Sequence, residues 1–184
     1  MSWEAEAVRW ANGLVGRWPV LDRVMYELAD GWSPFLLIGI AVAYWIWHEK
    51  REAVVPVVSL TAGILVADFL GARLKYAVAR PRPCHVLDAW HDVAGCGAAF
   101  SMPSNHVLNT AVAAGFLQVL YPRSGWVMWP LVALQAFSRM FIAAHYPSDG
   151  VVGALMGAAI GVGVAMLLVN WRRRRGSLSL AAEG

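Results

Sequence analysis

Charge is scarce in this 184-residue chain: Asp, Glu, Lys and Arg make up 15% of it, against 59% hydrophobic residues. A soluble domain carries about 25% charged and roughly 45–50% apolar residues. The deficit argues against a water-soluble globule and for a chain solvated by lipid. Cysteine is nearly absent, with two residues, which excludes a cysteine-rich secreted scaffold. The net charge is only +3, and four of the fifteen cations sit in one run, residues 172–175. That run directly follows an apolar stretch and reads as a cytoplasmic membrane anchor. No recognition module accompanies it, so no nucleic-acid partner is expected. Residues 1–20 carry Glu4, Glu6, Arg9 and Arg17 and lack a continuous apolar core, so no cleavable signal peptide is expected.

What is abundant is apolar sequence in long runs. A membrane span needs about 20 such residues, fewer with interfacial aromatics. Five candidates follow: 33–48, 53–74, 105–121, 126–144 and 149–171. Trp32, Trp45, Trp47 and Tyr121 suit interfacial belts. The expected fold is therefore all-α, an integral membrane bundle of about five transmembrane helices. Residues 48–52, the turn at Arg123 and residues 172–175 are cationic ends that alternate with the other loops. The positive-inside rule puts them in the cytoplasm and leaves residues 80–104 and 145–149 on the opposite face. Ahead of the bundle, Trp3, Ala7, Trp10 and Leu14 recur at helical spacing, as in an amphipathic interfacial helix; a helix packed on the bundle is the alternative. Pro19 is expected to break this segment, with a second short helix over 21–29. The chain thus divides into an N-terminal interfacial segment (1–30), a transmembrane domain (31–175) and a mobile tail (176–184). Gly153, Gly157 and Gly161 place small residues on one helical face for close packing, either within the chain or against a second subunit. The oligomeric state stays open.

Three polar clusters interrupt the apolar pattern: Lys75-x6-Arg82-Pro83, Pro103-Ser104-Asn105-His106, and Ser138-Arg139-x5-His145-x3-Asp149. All three fall on the face opposite the cationic ends. Arg82 and Arg139 offer planar donor forks that match phosphate oxygens, and Lys75 adds a point charge. Ser104 can cap the helix that follows, leaving the amides of Asn105 and His106 at its positive end. His145 and Asp149, four apart, can share a helical face, where the carboxylate fixes the imidazole tautomer. His106 can protonate a leaving oxygen. Two histidines beside an anion-binding set point to chemistry at phosphorus. Asp68 lies two helical turns before Lys75 and reads as part of a polar network beneath the site or as a simple structural hydrogen-bond partner. Arg80 reads as a solvated interfacial cation or a contact to a second phosphate. Cys84 and Cys96 can form a disulfide stapling the outer loop; with His85 and His91 they match no zinc pattern, so no metal is expected.

These clusters resemble the three signature motifs, K-x6-RP, PSGH and SR-x5-H-x3-D, of the type 2 phosphatidic acid phosphatase superfamily. That superfamily contains membrane lipid phosphatases and soluble vanadium haloperoxidases. The match runs in order from Lys75 to Asp149 with spacings intact. It departs at Asn105, where the family usually has glycine. The resemblance implies that His145 attacks phosphorus to form a phosphohistidine and that Asp149 orients it. It implies that His106 protonates the leaving group, and that Lys75, Arg82, Ser104, Arg139 and the Asn105 amide hold the phosphate. It implies no metal and no cofactor. The implied substrate is a phosphomonoester or pyrophosphate of a membrane lipid, with the site on the extracytoplasmic face of a bacterial inner membrane. Undecaprenyl pyrophosphate is favoured; phosphatidylglycerol phosphate, phosphatidic acid and lipid A 1-phosphate stay open. A lipid phosphotransferase using the same intermediate, and a lipid-phosphate binder or transporter, are the competing readings.

Overall fold

The computed structural model describes residues 2–31, 39, 42–43, 45–47, 49–88, 90–92 and 94–182. The expected first span, 33–48, lies largely outside the described residues. Every regular element among those described is helical, apart from one isolated bridge between Pro81 and Phe100. The helices are α1 (Trp3–Asn12), α2 (Pro19–Ala29), α3 (Val54–Val78), the short α4 (Pro83–Val86), α5 (Asn105–Leu120), α6 (Gly125–Phe141) and α7 (Pro147–Ala182). Pro19 opens α2 rather than only breaking the chain, because a proline in the first helical turn gives up no hydrogen bond. α3 runs on past the expected Leu74 and carries Lys75 in its last turn. It stops at Ala79, which takes a left-handed conformation (φ 49°) and returns its N–H to the Lys75 carbonyl at 3.0 Å.

α3 and the stretch Pro147–Arg175 of α7 are long and apolar enough to cross a membrane. α5 and α6, with 16 and 17 residues, are shorter than the roughly 20 residues a full crossing takes. Large apolar side chains stay uncovered along both long helices, among them Leu65, Phe69, Leu155 and Leu167. Rows of bare leucine and phenylalanine on two helices suit a lipid solvent.

α5 is the axis of the bundle and packs against α3, α6 and α7. Val107, Leu108, Ala111, Val112, Ala114 and Phe116 are all fully buried. The glycine stripe of α7 is what lets α5 come close. A Cβ at Gly153 would stand 2.8 Å from the Ser104 carbonyl oxygen, and Gly157 and Gly161 face the carbonyls of Leu108 and Val112. Gly115 answers from α5, facing the Ala158 carbonyl. Of the two sequence alternatives, the small face packs inside the chain.

This packing sorts the loops to two ends. At one end Tyr121 donates to Glu49 (2.5 Å), and Arg172 donates to the Glu52 carbonyl (3.1 Å). The three expected cationic ends therefore meet. At the other end the three motif clusters meet, and α1 and α2 dock there on α6. Val8 and Ala11 of α1 are fully buried, and Asn12 donates to the carbonyls of Phe141 (2.9 Å) and His91 (3.0 Å). Trp3 and Trp10 remain on the open side of α1.

Candidate active site

Helix ends build the site. Ser104 occupies the N-cap of α5, yet its hydroxyl makes no capping bond. Its N–H instead donates to the backbone carbonyl of Asp149 (3.1 Å), tying the second cluster to the third. Between α6 and α7 the chain reverses in five residues, helped by Ala143 in a left-handed conformation (φ 53°), a strained choice for a residue with a Cβ. This turn delivers His145 one helical turn from Asp149. Both are buried, at 2% and 0% exposure.

His145 Nδ1 stands 3.6 Å from Asp149 Oδ2, in line for the expected pairing but beyond hydrogen-bond length. Asp149 Oδ2 accepts the N–H of Tyr146 (2.8 Å), and Oδ1 accepts from Arg80 Nη1 (2.8 Å). Burial, the largest influence on His145, pushes its imidazole down to about 4; Asp149 opposes the shift, and Arg139 and Arg82 add to it. A neutral imidazole is the form able to act as a nucleophile.

His145, Ser104 and Arg139 share the wall of a cavity of about 350 Å³. The rest of that wall is largely apolar, including Val107, Trp129, Val132, Ala136, Val151 and Ala154. Among the described residues, three buried polar atoms here make no hydrogen bond: Ser104 Oγ, Arg139 Nε and His145 Nδ1, the last facing Asp149 Oδ2. Such atoms are costly unless a ligand or water completes them.

The other expected phosphate ligands lie near but outside this wall. Arg82 is buried and donates to the carbonyls of Cys96 (3.0 Å) and Phe100 (3.3 Å). Arg139 also donates through Nη1 to the Ala29 carbonyl, with Asp30 at 3.8 Å. Lys75, half-buried, feels the charges of Arg82, Arg139 and Asp149. His106 stands exposed in the first turn of α5, within the fields of Arg139, Lys75 and Arg82. Ser138 turns back to its own helix and bonds the Gln135 carbonyl.

Asn105 points away from this cavity. Its Nδ2 donates to Asp68 Oδ1 (3.3 Å), which also accepts from Asn109 (2.9 Å). Gly71 leaves room for it: a Cβ there would stand 3.2 Å from Asn105 Oδ1. Asp68 thus accepts from two α5 side chains, and one of them is the residue that departs from the family motif. Cys84 and Cys96 are joined, with Cα atoms 5.8 Å apart, so their sulfurs are not free thiolate ligands for a metal beside His85.

Two contributions had no sequence signal. The end of α2 supplies the Ala29 carbonyl and Asp30 to Arg139. Glu4 of α1 pairs with Arg80 at 2.7 Å and accepts the Ser148 N–H at 3.1 Å. Burial works against the Glu4 charge, but the bonds from Ser148 and Arg80 outweigh it and hold the carboxyl below its usual range.

A helical bundle with two helices long and apolar enough to cross a membrane, and a buried histidine beside buried arginines, fits a membrane lipid phosphatase. Comparison with known proteins gives the family: the PAP2 superfamily profile matches residues 56–175, and the chain belongs to that superfamily. It is 28% identical over 167 residues to the bacitracin transport permease protein BcrC of Bacillus licheniformis, covering 90% of this chain and 78% of that one. It is 33% identical over 137 residues to the decaprenylphosphoryl-5-phosphoribose phosphatase of Mycobacterium tuberculosis, covering 73% and 70%. Its fold is similar to the crystal structure of Aquifex aeolicus LpxE, with a TM-score of 0.70 and 22% identity, over 89% of this chain and 95% of that one.

Proposed function

We propose that the chain hydrolyses a phosphomonoester or pyrophosphate of a membrane lipid, with a polyprenyl pyrophosphate such as undecaprenyl pyrophosphate favoured. His145 attacks phosphorus and forms a phosphohistidine, while Asp149 holds its Nδ1–H and aims Nε2 at the substrate. His106 protonates the leaving oxygen and afterwards takes a proton from the water that attacks the intermediate. Lys75, Arg82, Arg139, Ser104 and the Asn105 amide carry the charge of the transferring phosphoryl group. α3 and α7 cross a bacterial inner membrane, with the site extracytoplasmic and residues 1–30 at the outer interface.

The observation that carries this reading is the cavity itself. Its walls are largely apolar, and among the described residues Ser104 Oγ and Arg139 Nε on those walls have no partner, beside the His145 ring. That combination suits an anionic headgroup attached to a hydrocarbon chain. The polyprenyl part of the preference is supported by the Mycobacterium relative, whose name specifies decaprenylphosphoryl-5-phosphoribose, a polyprenyl lipid with a phosphosugar headgroup. The test is phosphate release by purified protein in detergent with EDTA. The panel is undecaprenyl pyrophosphate, phosphatidylglycerol phosphate, phosphatidic acid and lipid A. Release that survives EDTA and is fastest on the polyprenyl lipid is expected. No release from folded protein on any of the four would overturn the hydrolase reading. Transfer of label to an acceptor lipid instead of water would replace it with the phosphotransferase.

A further inference from the structure

Arg80 lies two residues before the motif arginine Arg82 and faces the same end of the bundle, but three N–H donors and one face of its guanidinium are already engaged. Nη1 donates to Asp149 Oδ1 (2.8 Å) and to Ser148 Oγ (2.7 Å). Nη2 donates to Glu4 Oε2 (2.7 Å). The plane lies over the Tyr146 ring, 3.9 Å from its centroid. Glu4 is fixed in turn, its second oxygen accepting the Ser148 N–H. Asp149 therefore has one oxygen pinned by Arg80 and the other pinned by the Tyr146 amide on the side that faces His145. A carboxylate held at both oxygens cannot rotate about its Cβ–Cγ bond, so Oδ2 stays aimed at the imidazole.

We infer that Arg80 and Glu4 are positioning residues for the catalytic dyad, and that α1 completes the active site by locking Arg80 onto Asp149. The inference rests on the reading that Asp149 orients His145 during phosphate hydrolysis. Glu4 reaches the dyad through Arg80 and through the Ser148 N–H; Glu4→Gln keeps an acceptor for the second and weakens the first. Without Glu4, Arg80 keeps its charge but loses one of its anchors and can swing off Asp149. Without Arg80, Asp149 keeps only the Tyr146 amide and can turn away from the imidazole. Neither change removes a group from the cavity wall, so substrate binding is spared while the chemical step slows.

A double-mutant cycle tests this, with kcat, KM and thermal unfolding measured on full-length protein in detergent. Arg80→Met is expected to lower kcat by about 30- to 100-fold and Glu4→Gln by about 3- to 10-fold, each with KM within about twofold of wild type. Arg80→Lys, which returns a cation beside Asp149, is expected to recover part of the loss. The double variant Glu4→Gln/Arg80→Met is expected to match Arg80→Met alone, because Glu4→Gln keeps an oxygen for the Ser148 N–H and changes only the pairing with Arg80, which Arg80→Met has already removed. Effects that multiply in the double variant would overturn the relay. A raised KM at unchanged kcat would make Arg80 a substrate ligand instead. Should Arg80→Met fail to fold, Glu4→Gln and Arg80→Lys decide, and wild-type kcat in both would overturn the inference. Wild-type protein that releases no phosphate would instead sink the hydrolase reading beneath it.

Discussion

Alanine at Gly153 should damage catalysis from the far side of a helix interface. A Cβ there stands 2.8 Å from the Ser104 carbonyl oxygen and 3.3 Å from the Leu108 nitrogen, and both are backbone atoms that cannot swing aside. Ordinary contact begins near 3.4 Å, so α5 and α7 must part by about 0.6 Å at this point. The same movement stretches the bond from the Ser104 N–H to the Asp149 carbonyl and carries the start of α5 with it. Overpacking of this kind costs about 1–3 kcal/mol, offset by the roughly 0.5–1 kcal/mol that alanine gains over glycine within a helix. Since a displacement of about 1 Å can cost about 100-fold in rate, a shift of this size should lower kcat about tenfold. Gly163→Ala is the matched control, because nothing among the described residues lies within 4 Å of a Cβ built there. Its kcat should stay at wild type, and its unfolding temperature should be equal or slightly raised. The assays are phosphate release and thermal unfolding in one detergent. Gly153→Ala with kcat within twofold of wild type and the stability of the Gly163→Ala control would refute the close packing on which the site geometry depends.

The acid limb of kcat/KM should lie near pH 4 rather than near 6.5, because buried His145 is held down to about 4 and must be neutral to attack. A histidine depressed on folding contributes stability that is complete above its unfolded value of about 6.5 and is lost as pH falls through the folded value. For His145 that contribution is on the order of 3 kcal/mol. Wild type should therefore lose more stability than His145→Ala between pH 7 and pH 4.5; equal losses would contradict this. Asn105→Gly should keep kcat within about threefold and cost about 0.5–1 kcal/mol, since its side chain serves Asp68 and not the cavity. A large loss of kcat in that variant, at unchanged stability, would show that the side chain acts on substrate.

The long apolar helices and the three clusters were legible because their signals are local. A run of apolar residues marks a helix, and a fixed spacing marks a motif. The spacing of His145 and Asp149 allowed them to share a face, and the turn before α7 brings Nδ1 to 3.6 Å from Oδ2. Helix ends were less legible: α3 passes Leu74 because nothing at that position stops it, and its actual stop is a left-handed alanine with no sequence signature. The glycine stripe announced close packing but not its partner, because the same face suits a neighbouring helix or another chain. The links from Glu4 to Arg80 and from Ala29 to Arg139 join residues 76 and 110 positions apart, and no periodicity reports contacts of that range. Arg80 itself read as a solvated cation or a phosphate contact because its two carboxylate partners lie on other elements.

The central claim is that His145 carries the phosphoryl group. Rapid quench of the protein with headgroup-labelled polyprenyl pyrophosphate, followed by digestion under alkaline conditions, tests it directly. The account predicts acid-labile, base-stable label on the peptide containing His145, and neither label nor turnover in His145→Ala. Phosphate release that persists in His145→Ala would contradict it.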